Sequence, residues 1–113
     1  KDIAKENFQG NFQEKKVKCQ TIKNILDNSK FKNKKIDFLN IDVEGAEMKV
    51  LNTLNFEIYD PSLICVEILG YREMQSEQRE KEIKNDEIFK FLVNKGYKKV
   101  WSGLSYCSHL FTK

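Results

Sequence analysis

Two apolar runs with no consistently polar side constrain this chain more than any other feature. Ile36-Asp37-Phe38-Leu39-Asn40-Ile41-Asp42-Val43 and Leu63-Ile64-Cys65-Val66-Glu67-Ile68-Leu69 carry apolar residues at both odd and even positions. A strand that is apolar on both faces belongs to a parallel sheet with helices covering each side. Between the two runs, Ala46, Val50, Leu51 and Leu54 recur at helical spacing, behind an acidic first turn that the helix dipole favours. Pro61 then breaks the chain before the second run.

The rest extends this alternation. Residues 1–16 read as a loop or frayed lead-in, with Phe8 and Phe12 as isolated apolar anchors, and residues 17–113 read as the folded part. Val17-Lys18-Cys19 suggests a short strand, and Thr21 an N-cap for a helix with Ile22, Ile25 and Leu26 on one face. The lysine-rich stretch from Lys30 to Lys35 reads as a solvated loop. Tyr71 to Lys84, charged and poor in apolar residues, reads as a loop or an exposed helical turn. Asn85-Asp86-Glu87 caps a further helix whose stripe is Ile88, Phe89, Leu92 and Val93, with Gly96 as its stop. Tyr97 to Trp101 and Tyr106 to Phe111 form two strands, joined through Ser102-Gly103-Leu104-Ser105 as an antiparallel hairpin. The predicted fold class is α/β: parallel strands with right-handed helical crossovers, ending in that hairpin. About three parallel strands plus a hairpin is narrow beside the ~5–6 strands usual in a sheet. The remaining strands are expected upstream, and the opening Lys1-Asp2-Ile3, without an initiator Met, also suggests a piece of a longer protein.

Composition excludes several partner classes. The chain has 113 residues, 20 basic and 17 acidic, for a net charge of +3. The basic residues are mostly lysines scattered among acids, with Arg72 and Arg79 the sole arginines. Nucleic-acid binders concentrate charge on one face and use arginine for bidentate contacts, so no nucleic acid is expected as a partner. No apolar run reaches membrane-spanning length, no signal peptide is visible, and a cytoplasmic protein without membrane association is expected. Cys19, Cys65 and Cys107 are odd in number and form no CxxC pair, which fits reduced, buried thiols. Cys107 and His109 offer two ligands, too few for a metal site.

Two acids stand where an apolar strand should not carry them. Asp42 ends the first double-faced run, and Glu67 lies near the end of the second. Ligands of open parallel sheets bind beyond the carboxyl ends of the strands, and a buried acid is costly unless paired. If the strands are neighbours, both carboxylates face one crevice. Alternatively, Asp42 or Glu44 caps the following helix, and Glu67 pairs with Lys98 or Lys99. Glu47 reads as a first-turn dipole partner. His109, the only histidine, reads as structural, with a general-base role as the alternative.

The string Asp37-Phe38-Leu39-Asn40-Ile41-Asp42-Val43-Glu44-Gly45-Ala46-Glu47 resembles the signature of the FkbM-type methyltransferase family. Val17 to Ile22, Val50-Leu51, Pro61 to Ile68, Lys95-Gly96-Tyr97 and Leu110-Phe111 extend the resemblance over residues 17 to 112. It implies the C-terminal half of a Rossmann-like fold that transfers a methyl group from S-adenosylmethionine, often to a hydroxyl of a sugar or secondary metabolite. On this mapping Asp42 stands beside the methyl donor as cofactor-binding and catalytic residue, while Glu44 and Glu67 line the acceptor side. A carboxylate would serve as general base, or two would hold a metal that polarises the hydroxyl; Asp42 with Glu44 is the favoured pair. Asn40 replaces the lysine common in the family before the Ile-Asp pair. The glycine-rich turn that cradles the donor is absent, since the five glycines form no GxGxxG cluster. The donor is therefore expected to be bound mainly by a missing N-terminal half, leaving this piece inactive alone and prone to self-association through an exposed sheet edge. The competing reading is a non-catalytic α/β module for packing or partner binding.

Overall fold

The computed structural model describes residues 13–113. In chain order the elements are α1 (Ile22–Asp27), β1 (Phe38–Ile41), α2 (Glu47–Thr53), α3 (Phe56–Tyr59), β2 (Leu63–Glu67), α4 (Ser76–Glu82) with a 3-10 turn (Ile83–Asn85), α5 (Glu87–Asn94), β3 (Lys98–Ser102) and β4 (Ser108–Thr112). The double-faced runs become β1 and β2, parallel neighbours with Leu39 opposite Ile64 and Ile41 opposite Val66. The sheet order is β1-β2-β4-β3. Strand β4 runs antiparallel to both β2 and β3, so β1, β2 and β3 all point the same way. The α/β reading and the terminal hairpin hold. Chain order did not show that the last strand inserts between β2 and β3.

Local chemistry sets the helix ends. Thr21 Oγ1 accepts from the Asn24 N–H at 3.2 Å at the start of α1. Asp86 Oδ1 accepts from the Ile88 N–H at 2.8 Å at the start of α5. At its far end Gly96 adopts φ +90°. There the Tyr97 N–H donates to the Leu92 carbonyl at 3.0 Å and the Gly96 N–H to that of Val93 at 2.9 Å. This is a Schellman ending, which turns the chain directly into β3.

The core lies on one face of the sheet. Because side chains alternate along a strand, Ile41, Ile64, Val66 and Phe111 share the face that meets Leu51, Ile83, Ile88 and Leu92 from the helical segments, all of them buried. The other face carries Phe38, Leu63, Cys65, Leu110 and Trp101. Phe38 is 55% and Trp101 53% exposed, and the rest are half-buried. The expected helical cover on both faces is thus one-sided among the described residues. Apolar composition says that a face can be buried, not which segment buries it. The molecule is accordingly a slab of 45 × 42 × 20 Å, about as thick as one sheet plus one helix layer.

Several sequence expectations need correction. Val17–Cys19 forms no strand, and Val17 is 70% exposed; three residues have too few ladder bonds to hold without a neighbouring strand. All three cysteines are free, but Cys19 is exposed and the other two only half-buried, Cys65 because it faces the uncovered side. Ile25 and Val93 are 54% and 45% exposed, so the buried stripes of α1 and α5 are narrower than their spacing implies. The charged segment Tyr71 to Lys84 contains α4, anchored by the fully buried Ile83. Phe8 and Phe12 lie outside the described residues.

Candidate functional site

Strands β1 and β2 end side by side, and their register sets Asp42 next to Glu67 at the carboxyl rim. Glu44 joins them through the loop entering α2. Glu44 itself has φ +51° and Gly45 φ +92°, two successive left-handed residues that fold the loop back over the strand ends. For a non-glycine residue that conformation stores roughly 1–2 kcal/mol. One carboxylate oxygen from each of Asp42, Glu44 and Glu67 lies within 4.8 Å of the others.

The three acids differ in setting. Asp42 and Glu44 are exposed, whereas Glu67 is half-buried. Glu67 Oε2 is buried and has no hydrogen-bond partner. Burial raises the Glu67 pKa above the ordinary carboxylate value, and the charges of Asp42, Glu44 and Glu47 raise it further. Burial, with a smaller contribution from Asp42, likewise pushes the neighbouring Cys65 thiol upward. Such a group of carboxylates can share a proton or take a hard divalent cation, although exposed acids often cluster with neither.

The alternative roles considered for these acids do not occur. Lys99 Nζ bonds to Glu80 and to Ser102 Oγ, at 3.2 and 2.9 Å, leaving Glu67 without it. The N-cap of α2 is Ala46, with no side-chain cap. Glu47 takes over that task. It is 5% exposed, and its Oε1 accepts from the Val43 N–H at 3.0 Å and the Gly45 N–H at 3.2 Å. Glu47 therefore does more than complement the helix dipole: it holds the loop that presents Glu44. The available signal was a glutamate two residues after a glycine at a helix start, where a side chain can reach back to free N–H groups.

His109 stands apart from the acids. It is fully buried, on the helix-covered face opposite Val66 and Ser102, whereas Glu67 lies on the other face. Its Nδ1 is 3.0 Å from Ser102 Oγ, and its ring meets the Tyr106 ring edge-on at 4.8 Å. Burial, helped by the nearby charge of Lys99, lowers its pKa to about 4, so the imidazole is neutral in the core. The structural reading of His109 holds. Among the described residues, Asp42, Glu44 and Glu67 are the one group of three side chains placed to share a metal ion. No helix among them is long and apolar enough to cross a membrane.

No curated protein and no solved structure matches the chain significantly. A family model described as the methyltransferase FkbM domain matches residues 2–99. That match takes in both acid-ended strands and the loop between them, and by it the chain belongs to the FkbM methyltransferase domain family.

Proposed function

We propose that this chain is the C-terminal part of a Rossmann-like domain that transfers a methyl group from S-adenosylmethionine to a hydroxyl of a sugar or secondary metabolite. Membership of the methyltransferase family supports methyl transfer in general. The observation that carries the finer reading is the convergence of Asp42, Glu44 and Glu67 within 4.8 Å, at the rim where open parallel sheets bind their ligands. A role in packing alone would leave the unpartnered, buried Glu67 Oε2 without a purpose.

The residues suit the donor in charge. S-adenosylmethionine supplies a methyl group on a cationic sulfonium, and an acidic rim favours a cation. Asp42 would stand nearest it, with Glu44 and Glu67 toward the acceptor. Gly45, Gly70, Gly96 and Gly103 lie in four separate turns, so the backbone grip on the rest of the donor falls to upstream sequence. Glu67 is the best general base of the three, since its raised proton affinity brings it closer to the operating pH. In methyl transfer from a bound donor, Glu67 would accept the proton that the acceptor hydroxyl gives up. Asp42 and Glu44 hold the charge that keeps Glu67 receptive to it, and Glu47 fixes the loop.

The test is transfer of labelled methyl groups to hydroxyl acceptors by a protein containing this chain, with and without Glu67→Gln. Loss of a general base should lower kcat by about 10²–10⁴-fold with little change in the KM for the donor. Full activity in E67Q would remove Glu67 from the mechanism, and loss of activity on adding a chelator would favour a cation held by the same acids. The isolated chain should give little or no heat when titrated with S-adenosylmethionine; micromolar binding would overturn the claim that it supplies half a site.

A further inference from the structure

The sheet face without helical cover changes character along its strands. Phe38 and Leu63 pair at the amino ends of β1 and β2, and Cys65 and Leu110 pair at mid-sheet. At the carboxyl rim the same face turns polar: Asp42 stands beside Glu67, and Glu67 pairs with Ser108. Strand β3 points the same way as β1 and β2, so it ends at this rim too. Trp101, opposite Leu110, therefore lies on the acids' face, one side-chain row below Ser108.

Gly103 gives the indole its direction. A Cβ there would come 3.3 Å from Cη2 and 3.7 Å from Cζ3 of Trp101, so the benzo edge of the ring leans toward the rim. Among the described residues Gly103 is the one glycine outside the left-handed region, and room for this ring, not backbone freedom, accounts for it. Trp101 stays 53% exposed, although tryptophan is highly buried on average. A free aromatic face beside carboxylate and hydroxyl oxygens suits a ligand that is apolar on one flat side and rich in hydroxyls at its edge, as a sugar ring is. A helix laid over the face would bury Phe38 and Leu63 well, but at the rim it would desolvate the carboxylates at a cost. Strands β2 and β3 lie two strand spacings apart, about 10 Å, a longer reach than a single sugar ring has.

We propose that Trp101 is the platform of the acceptor site, and that the acceptor is a saccharide of at least two rings. One ring presents its hydroxyl to Glu67, the chain passes over Ser108, and the next ring stacks on the indole. The role of Glu67 rests on the methyl-transfer reading; the stacking on Trp101 does not.

The test uses no methyl donor, which keeps the two apart. Trp101 is the only tryptophan of the chain, and its emission reports the platform directly. The chain is titrated with cellobiose, maltose, lactose, glucose and sorbitol, at a protein concentration where sedimentation shows a monomer. A saturable emission change is expected with at least one disaccharide. Glucose should bind about tenfold more weakly, because it cannot span from Glu67 to the indole, and sorbitol should give no response, because it has hydroxyls but no ring. Calorimetry with the same disaccharide should show binding lost in Trp101→Ala and kept in Trp101→Phe, with circular dichroism checking both folds; if the Ala variant does not fold, the emission titrations decide alone. In a protein containing this chain that methylates a saccharide, Trp101→Ala should raise the acceptor KM about tenfold with kcat nearly unchanged, the opposite split from Glu67→Gln. Absence of methyl transfer would sink the reading of Glu67 and leave the binding result to decide the platform. No saturable response to any disaccharide, an equal response to glucose or sorbitol, a response confined to associated chains, or disaccharide binding unchanged in Trp101→Ala would overturn the proposal.

Discussion

Removing the Glu47 carboxylate tests whether one buried side chain sets the geometry of the acidic rim. Its Oε1 holds two backbone N–H groups, those of Val43 and Gly45, at 3.0 and 3.2 Å. Hydrogen bonds to a charged partner are worth about 1.5–3 kcal/mol each. The two share one oxygen, and Val43 and Gly45 lie at an exposed turn where water can partly replace the lost partner. Glu47→Ala should therefore destabilise the fold by about 2–3 kcal/mol, a sizeable part of the ~5–15 kcal/mol typical of a domain. Glu47→Gln keeps an oxygen acceptor in the same place but loses the charge, and should cost about 1 kcal/mol. Urea unfolding of the three proteins, monitored by circular dichroism, gives both differences. A corresponding melting shift of roughly 4–8 °C per kcal/mol provides a check. If Ala costs no more than Gln, or both lie within about 0.5 kcal/mol of the native chain, Glu47 does not hold the loop and the positioning argument fails.

Other outcomes follow from the same geometry. Glu67 has a folded pKa above its unfolded one, so the folded state binds more protons between the two values and stability falls as pH rises through that window. Glu67→Gln should remove that loss and leave the variant more stable than the native chain at pH 7; equal stability from pH 4 to pH 7 would show that Glu67 is not strained. Gly45→Ala should destabilise by about 1 kcal/mol although nothing lies within 4 Å of the added Cβ, because the backbone there has φ +92°; a neutral result in thermal melts would mean that the loop relaxes. The sheet face bearing Phe38 and Trp101, with β1 at the sheet edge, should drive concentration-dependent association in sedimentation, and Phe38→Lys should reduce it. A monomer at all concentrations would refute that expectation.

Much of this molecule was legible from residue order alone, wherever the controlling physics is local. The double-faced runs around Ile41 and Val66, the caps at Thr21 and Asp86 and the stop at Gly96 all act within a few positions of themselves, and each formed where its pattern placed it. Asp42 and Glu67 stood out because a carboxylate among strand-forming apolar residues needs a reason. Only the tertiary structure decided what depends on which distant segments meet. Strand pairing brought Glu67 to Asp42 and kept Lys99 away from it. The insertion of β4 put His109 in the core, on the face away from the acids. One-sided helix packing left Phe38, Cys65 and Trp101 uncovered, a fact that no count of apolar residues contains. Glu47 lies between these limits: its position at a helix start was plain, but its grip on the Val43 and Gly45 amides depends on a left-handed turn through Glu44 that only the folded loop reveals.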